Sequence, residues 1–249
     1  MYPKRRLSLA LFLSPFLLAS MAPHAPAAEM LHNMVLTLAR GQDPADGPYR
    51  FRCPVFGRCN HRIVGLFQTR RRGISETWVV AAIPNESDCH ACTSRMTMEV
   101  YRKRGGRWRK HRAWRNFTEW GNWGIVRPSE VRMGRIDNRR MILFLEGGTT
   151  QMGETTEALE VFIIDGEDIT PVRRFCIHYD NEGAITPEMP MKHEKWSARY
   201  ELVTINGRPA LVFHLRDETT GNTGTMVYEI VGRRLRLRHG GDVRLENSC

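Results

Sequence analysis

Met96-Thr97-Met98-Glu99-Val100-Tyr101-Arg102-Lys103-Arg104-Gly105-Gly106-Arg107-Trp108 decides the fold class. Met96, Met98 and Val100 alternate with Thr97 and Glu99, the period of two that puts an apolar row and a polar row on opposite faces of a β-strand. Gly105-Gly106 supplies the positive φ values of a tight hairpin, and Trp108 opens the return strand.

Working outward, Ile63–Gln68, Thr77–Ile83, Met141–Leu145, Leu159–Ile164, Ile169–Phe175, Tyr200–Ile205, Leu211–Leu215, Met226–Val231 and Leu235–Leu237 read as further strands, rich in β-branched and aromatic residues. Three of these groups repeat one pattern of strand, polar loop, strand, Gly turn and strand. Trp78-Val79-Val80 leads to Met98–Tyr101 and Trp108. Ile142-Leu143-Phe144 leads to Glu160–Ile163, Asp165-Gly166 and Ile169, and Leu211-Val212-Phe213 leads to Met226–Glu229, Gly232 and Leu235. The expectation is an all-β chain of antiparallel hairpin repeats, forming a sandwich, an open barrel or a propeller-like arrangement. Met30–Arg40 alone reads as a short N-terminal helix, from Leu31, Met34, Val35 and Leu38 at helical spacing.

Lys4, Arg5 and Arg6 precede a short apolar run, Leu7–Ala19, and Ala25-Pro26-Ala27 has the small residues of a signal-peptidase cut. The organisation expected is a signal peptide at 1–27, an arm at 28–50 and one β-rich domain at 51–249, periplasmic or secreted. No later stretch is apolar over the roughly 18 residues that a spanning helix needs.

Export sets the reading of six cysteines, because thiols in an oxidising compartment tend to pair. Proximity in sequence suggests Cys53 with Cys59, Cys89 with Cys92, and Cys176 with Cys249. Cys89-His90-Ala91-Cys92 has a second reading as a thiol–disulfide redox pair, and that is the alternative function. Redox cysteines of this spacing sit at a helix N-terminus that lowers the thiolate pKa. Here an alternating strand follows, which favours a structural staple.

Charge is concentrated. The chain carries +10, and removing the three basic residues of the signal lowers it to +7. Arg102, Lys103, Arg104, Arg107, Arg109, Lys110, Arg112 and Arg115 contribute eight positive charges with no acid among them, leaving −1 elsewhere, so the positive field has one main source. Trp108, Trp114, Trp120 and Trp123 follow in the same region. By alternation Trp108, Lys110, Arg112 and Trp114 share one face, where indoles and cations together suit an anionic surface. Arg107, Trp108, Arg109, Lys110, Arg112 and Trp114 are therefore the expected binding residues. The expected partner is an anionic envelope polymer or lipid surface, or a protein; nucleic acid is scarce in that compartment.

Catalytic motifs do not emerge. There is no Gly-x-Ser-x-Gly elbow, no His-Glu-x-x-His helix and no phosphate-cradling glycine loop. A carboxylate group from Glu146, Glu154, Glu157 and Glu160 stays open, since hydrolases draw their acids from distant strands. Cys59-Asn60-His61 and Cys176-Ile177-His178 pair sulfur with imidazole, yet their spacing is not that of a zinc site. Asp165–Asp168 and Asp180–Gly183 read as turns rather than calcium loops. No metal and no cofactor is expected.

Cys89-His90-Ala91-Cys92, an alternating strand, Gly105-Gly106-Arg107-Trp108, Trp120-Gly121-Asn122-Trp123-Gly124, Glu146-Gly147-Gly148 and Met152-Gly153 together resemble a family of uncharacterised exported bacterial proteins. The resemblance covers Trp78 to Ala184. It implies a recurring secreted β-rich module, with no activity attached.

Overall fold

The computed structural model describes residues 50–53, 57–60, 62–71, 73–84, 92–104, 107–121, 126–188 and 190–246. The expected signal peptide, nearly all of the arm, the Met30–Arg40 helix, Cys89 and Cys249 lie outside them. Fourteen strands are described, and every pairing between them is antiparallel. A small ladder of β1 (Arg50–Cys53) and β2 (Gly57–Asn60) precedes three four-stranded meanders.

The first meander is β3 (Arg62–Arg71), β4 (Ile74–Ile83), β5 (Ser94–Arg104) and β6 (Arg107–Trp120). The second is β7 (Val131–Arg135), β8 (Arg140–Gln151), β9 (Glu154–Asp165) and β10 (Asp168–Asp180). The third is β11 (Lys195–Ile205), β12 (Arg208–Asp217), β13 (Thr223–Val231) and β14 (Arg234–His239). The second and third run on as one eight-stranded sheet, but their junction is narrow: His178, Tyr179 and Asp180 of β10 meet Ser197, Trp196 and Lys195 of β11, and there the ladder stops. The repeat seen in the sequence thus corresponds to the last three strands of each meander. The first strand of each meander lies outside that pattern, and β7 is an addition to the strands expected from the sequence.

The meanders stack face to face with the second in the middle. Met141, Leu143, Leu145, Phe162 and Ile164 of that layer pack with Val64, Trp78, Val80, Met96, Met98 and Val100 of the first. From its other face Ile142, Phe144, Leu159, Val161 and Ile163 pack with Leu211, Phe213, Met226 and Tyr228 of the third. Burial on both faces is the physical reason Met141–Leu145 and Val161–Ile164 are unbroken apolar runs, whereas Met96–Val100 of β5, which packs on the core through one face, alternates. A short helix, α1 (Val243–Glu246), inserts the fully buried Leu245 into the second core. The architecture is all-β and sandwich-like, and among the described residues no sheet closes into a barrel.

Turns of the second and third meanders meet at one end of the stack. Arg233, in the β13–β14 turn, reaches Asp165 at 3.5 Å and Asp168 at 2.7 Å, on either side of the β9–β10 turn. Arg140 donates to the carbonyl of Gly232. No described helix is long and apolar enough to cross a membrane.

Candidate functional site

The basic segment forms the β5–β6 hairpin, and two bulges redistribute its side chains. Val100 lies opposite Arg112 and Tyr101 opposite Lys110, so His111 is the extra residue of a bulge that reverses the alternation. The single stripe expected of Trp108, Lys110, Arg112 and Trp114 is therefore corrected. Arg112 and Trp114 face the core side, opposite Val100 and Met98, while Lys110 faces the other way beside Tyr101. Arg107 and Trp108 are placed as backbone opposite Arg104 and Lys103.

Among the described residues, at least three of the eight cations are paired with acids of the same chain. Arg102 Nε donates to Glu76 Oε1 at 2.8 Å, Lys110 Nζ lies 2.5 Å from Glu99 Oε1, and Arg112 lies 2.5 Å from Glu167 Oε2. Arg112 also stacks 5.5 Å over the Trp114 ring. Trp114 is itself engaged, its indole N–H donating to the Glu167 carbonyl at 2.9 Å and its ring stacked on Trp78 at 6.1 Å. Arg112 and Trp114 thus clamp the first meander to the β9–β10 turn. Arg104, Arg109 and Arg115 stay exposed, with no acidic partner among the described residues.

Several glycine and tryptophan motifs converge at the opposite end. Trp120, buried as a core residue, donates its indole N–H to the Glu146 carbonyl at 2.9 Å. A Cβ on Gly147 would stand 2.9 Å from that same nitrogen, so glycine is required there to admit the indole. Thr93, Gly121, Gly147, Gly148 and Arg174 border a cleft of about 200 Å³ beside it, with the Arg174 guanidinium 4.9 Å from the Trp120 ring. Packing against Trp120 accounts for Gly147, and a clash of any Cβ on Gly148 with the Thr156 carbonyl at 2.7 Å accounts for its neighbour.

The four glutamates do not assemble. Glu160 lies opposite Leu145 and Glu146 opposite Leu159, which puts them on opposite faces of the middle sheet. Tyr200 and Arg132 hold Glu146, while Glu154 sits opposite Gln151 at the β8–β9 turn. Burial raises the Glu160 pKa, opposed by Arg174 and by a hydrogen bond from Thr118. A carboxyl raised in the folded state penalises folding once ionised, and the penalty disappears as pH falls below the unfolded value. Glu160→Gln is expected to stabilise the protein slightly at pH 7 and to flatten its melting temperature across the carboxylate range; an unchanged pH profile would contradict this.

Cys92 is buried and, like Cys176, is disulfide-bonded; no described cysteine is a free thiol. Chain after Cys92 passes directly into β5 at Ser94, so it has no helix N-terminus to lower a thiolate pKa. Cys53 and Cys59 lie in β1 and β2, opposite Gly57 and Phe51.

Asp180, Glu182 and His193 bring donor atoms within 4.8 Å of one another. Lys195 Nζ already lies 2.9 Å from Asp180, and the Glu182 N–H donates to Asp180 at 2.9 Å. That backbone hydrogen bond, followed by Lys195, lowers the Asp180 pKa to about 2. The group is better described as a capped turn than as a cation site.

No protein-family model matches the chain, and no curated protein is similar to it.

Proposed function

We propose that this is an exported, non-catalytic β-module that binds an anionic surface of the cell envelope, or a partner presenting one, through the β5–β6 hairpin. The observation that carries the reading is the charge left after folding: Arg104, Arg109 and Arg115 stay exposed, with no acidic partner among the described residues, on a hairpin braced by Arg102–Glu76 and Arg112–Glu167. Export and the three disulfides Cys53–Cys59, Cys89–Cys92 and Cys176–Cys249 belong to the same reading. Fixed cations attract polyanions over about a Debye length, roughly 10 Å at 0.1 M salt and 3 Å at 1 M.

Binding to a soluble polyanion such as heparin is expected to weaken steeply between those salt concentrations. Arg109→Glu with Arg115→Glu should reduce affinity about tenfold or more at low salt, by the loss and reversal of two phosphate-class contacts. Salt-independent binding, or full affinity in the double variant, would exclude the hairpin as the contact.

A further inference from the structure

The third meander has a mixed apolar and basic outer face that the sequence count of charges conceals. Residues directly opposite one another on antiparallel strands share a face. Ile205 is opposite Arg208, and Val231 is opposite Arg234. Continuing the β12–β13 register from Ala210 and Glu229 brings Arg208 opposite Val231, so the four residues form one row across the sheet. In the next row Val203, Ala210, Glu229 and Arg236 follow. The other face is occupied, since Tyr200, Leu202, Leu211, Phe213 and Tyr228 belong to the second core.

Ile205 is 41 % exposed and Val231 49 %, which makes them two of the few large aliphatic side chains left in solvent among the described residues. Arg199, Arg208, Arg216, Arg234, Arg236 and Arg238 share their face by strand alternation, against Glu201 and Glu229. Glu229 is held between Arg238 and Arg208, and Glu201 lies 3.1 Å from His214. The face therefore keeps an excess of cations. Guarding the free edge of β14 would explain arginines on that strand, but not Ile205, which stands on β11 three strands away.

We propose that this face docks on an anionic lipid bilayer, with Ile205 and Val231 entering the interface and Arg234 and Arg236 meeting lipid phosphates. The proposal goes beyond the hairpin reading above, adding a separate lipid contact on the third meander. Protruding aliphatic groups ringed by arginine are the sheet counterpart of an interfacial amphipathic helix, and the arginine stems extend the apolar area while their heads remain at the phosphates. A soluble polyanion would gain nothing from Ile205 and Val231.

Sedimentation of the full mature chain with vesicles of phosphatidylcholine, alone or mixed with phosphatidylglycerol, tests this beside heparin binding. Wild type is expected to bind the mixed vesicles and not the neutral ones. Ile205→Ser with Val231→Ser should weaken vesicle binding about tenfold, from the lost burial of two aliphatic groups, and leave heparin affinity unchanged. Arg234→Gln with Arg236→Gln, which touches no core residue, should weaken vesicle binding as well. Heparin binding without vesicle binding, or vesicle binding insensitive to both double variants, overturns the lipid proposal and leaves the hairpin reading standing. Loss of both forms of binding in Arg109→Glu/Arg115→Glu, with neither affected by the third-meander variants, assigns the whole contact to the hairpin. Binding of neither probe by wild type overturns both readings.

Discussion

Arg102→Met is expected to cost about 3–5 kcal/mol of folding stability, the range for stripping the partner from a buried charge. Glu76 is 1 % exposed and stands opposite Arg102 in the β4–β5 register. One of its oxygens accepts from Arg102 Nε at 2.8 Å, and the other has no hydrogen-bond partner. With the guanidinium gone, an ionised carboxylate would remain in a dry site beside the Trp78 layer, and its desolvation would be uncompensated. Arg109 lies directly across the ladder from Arg102 but is exposed and has no acidic partner among the described residues, so Arg109→Met should change stability by no more than about 0.5 kcal/mol. Urea denaturation of the two variants checks the contrast. Adding Glu76→Leu to Arg102→Met should recover most of the loss, because replacing both members of a buried pair by apolar groups is often neutral. Equal stabilities for Arg102→Met and Arg109→Met would show that the segment is uniformly a solvated face. The pair of variants thus separates cations that hold the fold from cations available to a partner.

Gly153→Ala should cost about 3 kcal/mol, combining a left-handed backbone penalty of about 1–2 kcal/mol with a packing collision of about 1–3 kcal/mol. Gly153 has φ +84°, and a Cβ there would stand 2.1 Å from both the carbonyl carbon and oxygen of Gly183. Both are backbone atoms, so no rotamer change relieves the contact. The collision would force the β8–β9 turn away from the segment Glu182–Ala184, which leads toward β11 and follows Asn181, a buried residue hydrogen-bonded to Lys192 and Glu194. Gly166→Ala is the control. Gly166 also has positive φ, +63°, but nothing lies within 4 Å of its would-be Cβ. It should lose only about 1 kcal/mol, the conformational part alone. Thermal melts that rank the two equally would remove the close approach of the turn to Gly183 as the cause.

Much of the architecture was legible in the residues that follow local rules. Met96, Met98 and Val100 are all buried on one side of β5, as their alternation requires, and the repeat recovered three strands of every meander. Unbroken runs at Met141–Leu145 and Val161–Ile164 likewise mark strands covered on both sides. β7 escaped because Val131-Arg132-Met133-Gly134-Arg135 is short and carries two arginines and a glycine; it is held by pairing with β8 rather than by its own propensity. The faces of the basic side chains are hidden from the sequence for a related reason. A bulge at His111 depends on how β6 fits β5 along its whole length, and one extra residue transfers every later side chain to the other face.

Sequence alone determined the period of the strands, the positions of their turns, the three-fold recurrence and the total charge, because each of these is set by neighbours a few residues apart. Tertiary structure alone decided which charges survive folding. Arg112 meets Glu167 and Trp114 meets the carbonyl of that same residue, contacts made only when the first and second meanders stack. Across the third meander, Ile205, Arg208, Val231 and Arg234 become one row only through the register of four strands. A Coulomb or apolar contact depends on distance in space, and strand pairing brings together residues whose separation along the chain carries no sign of it.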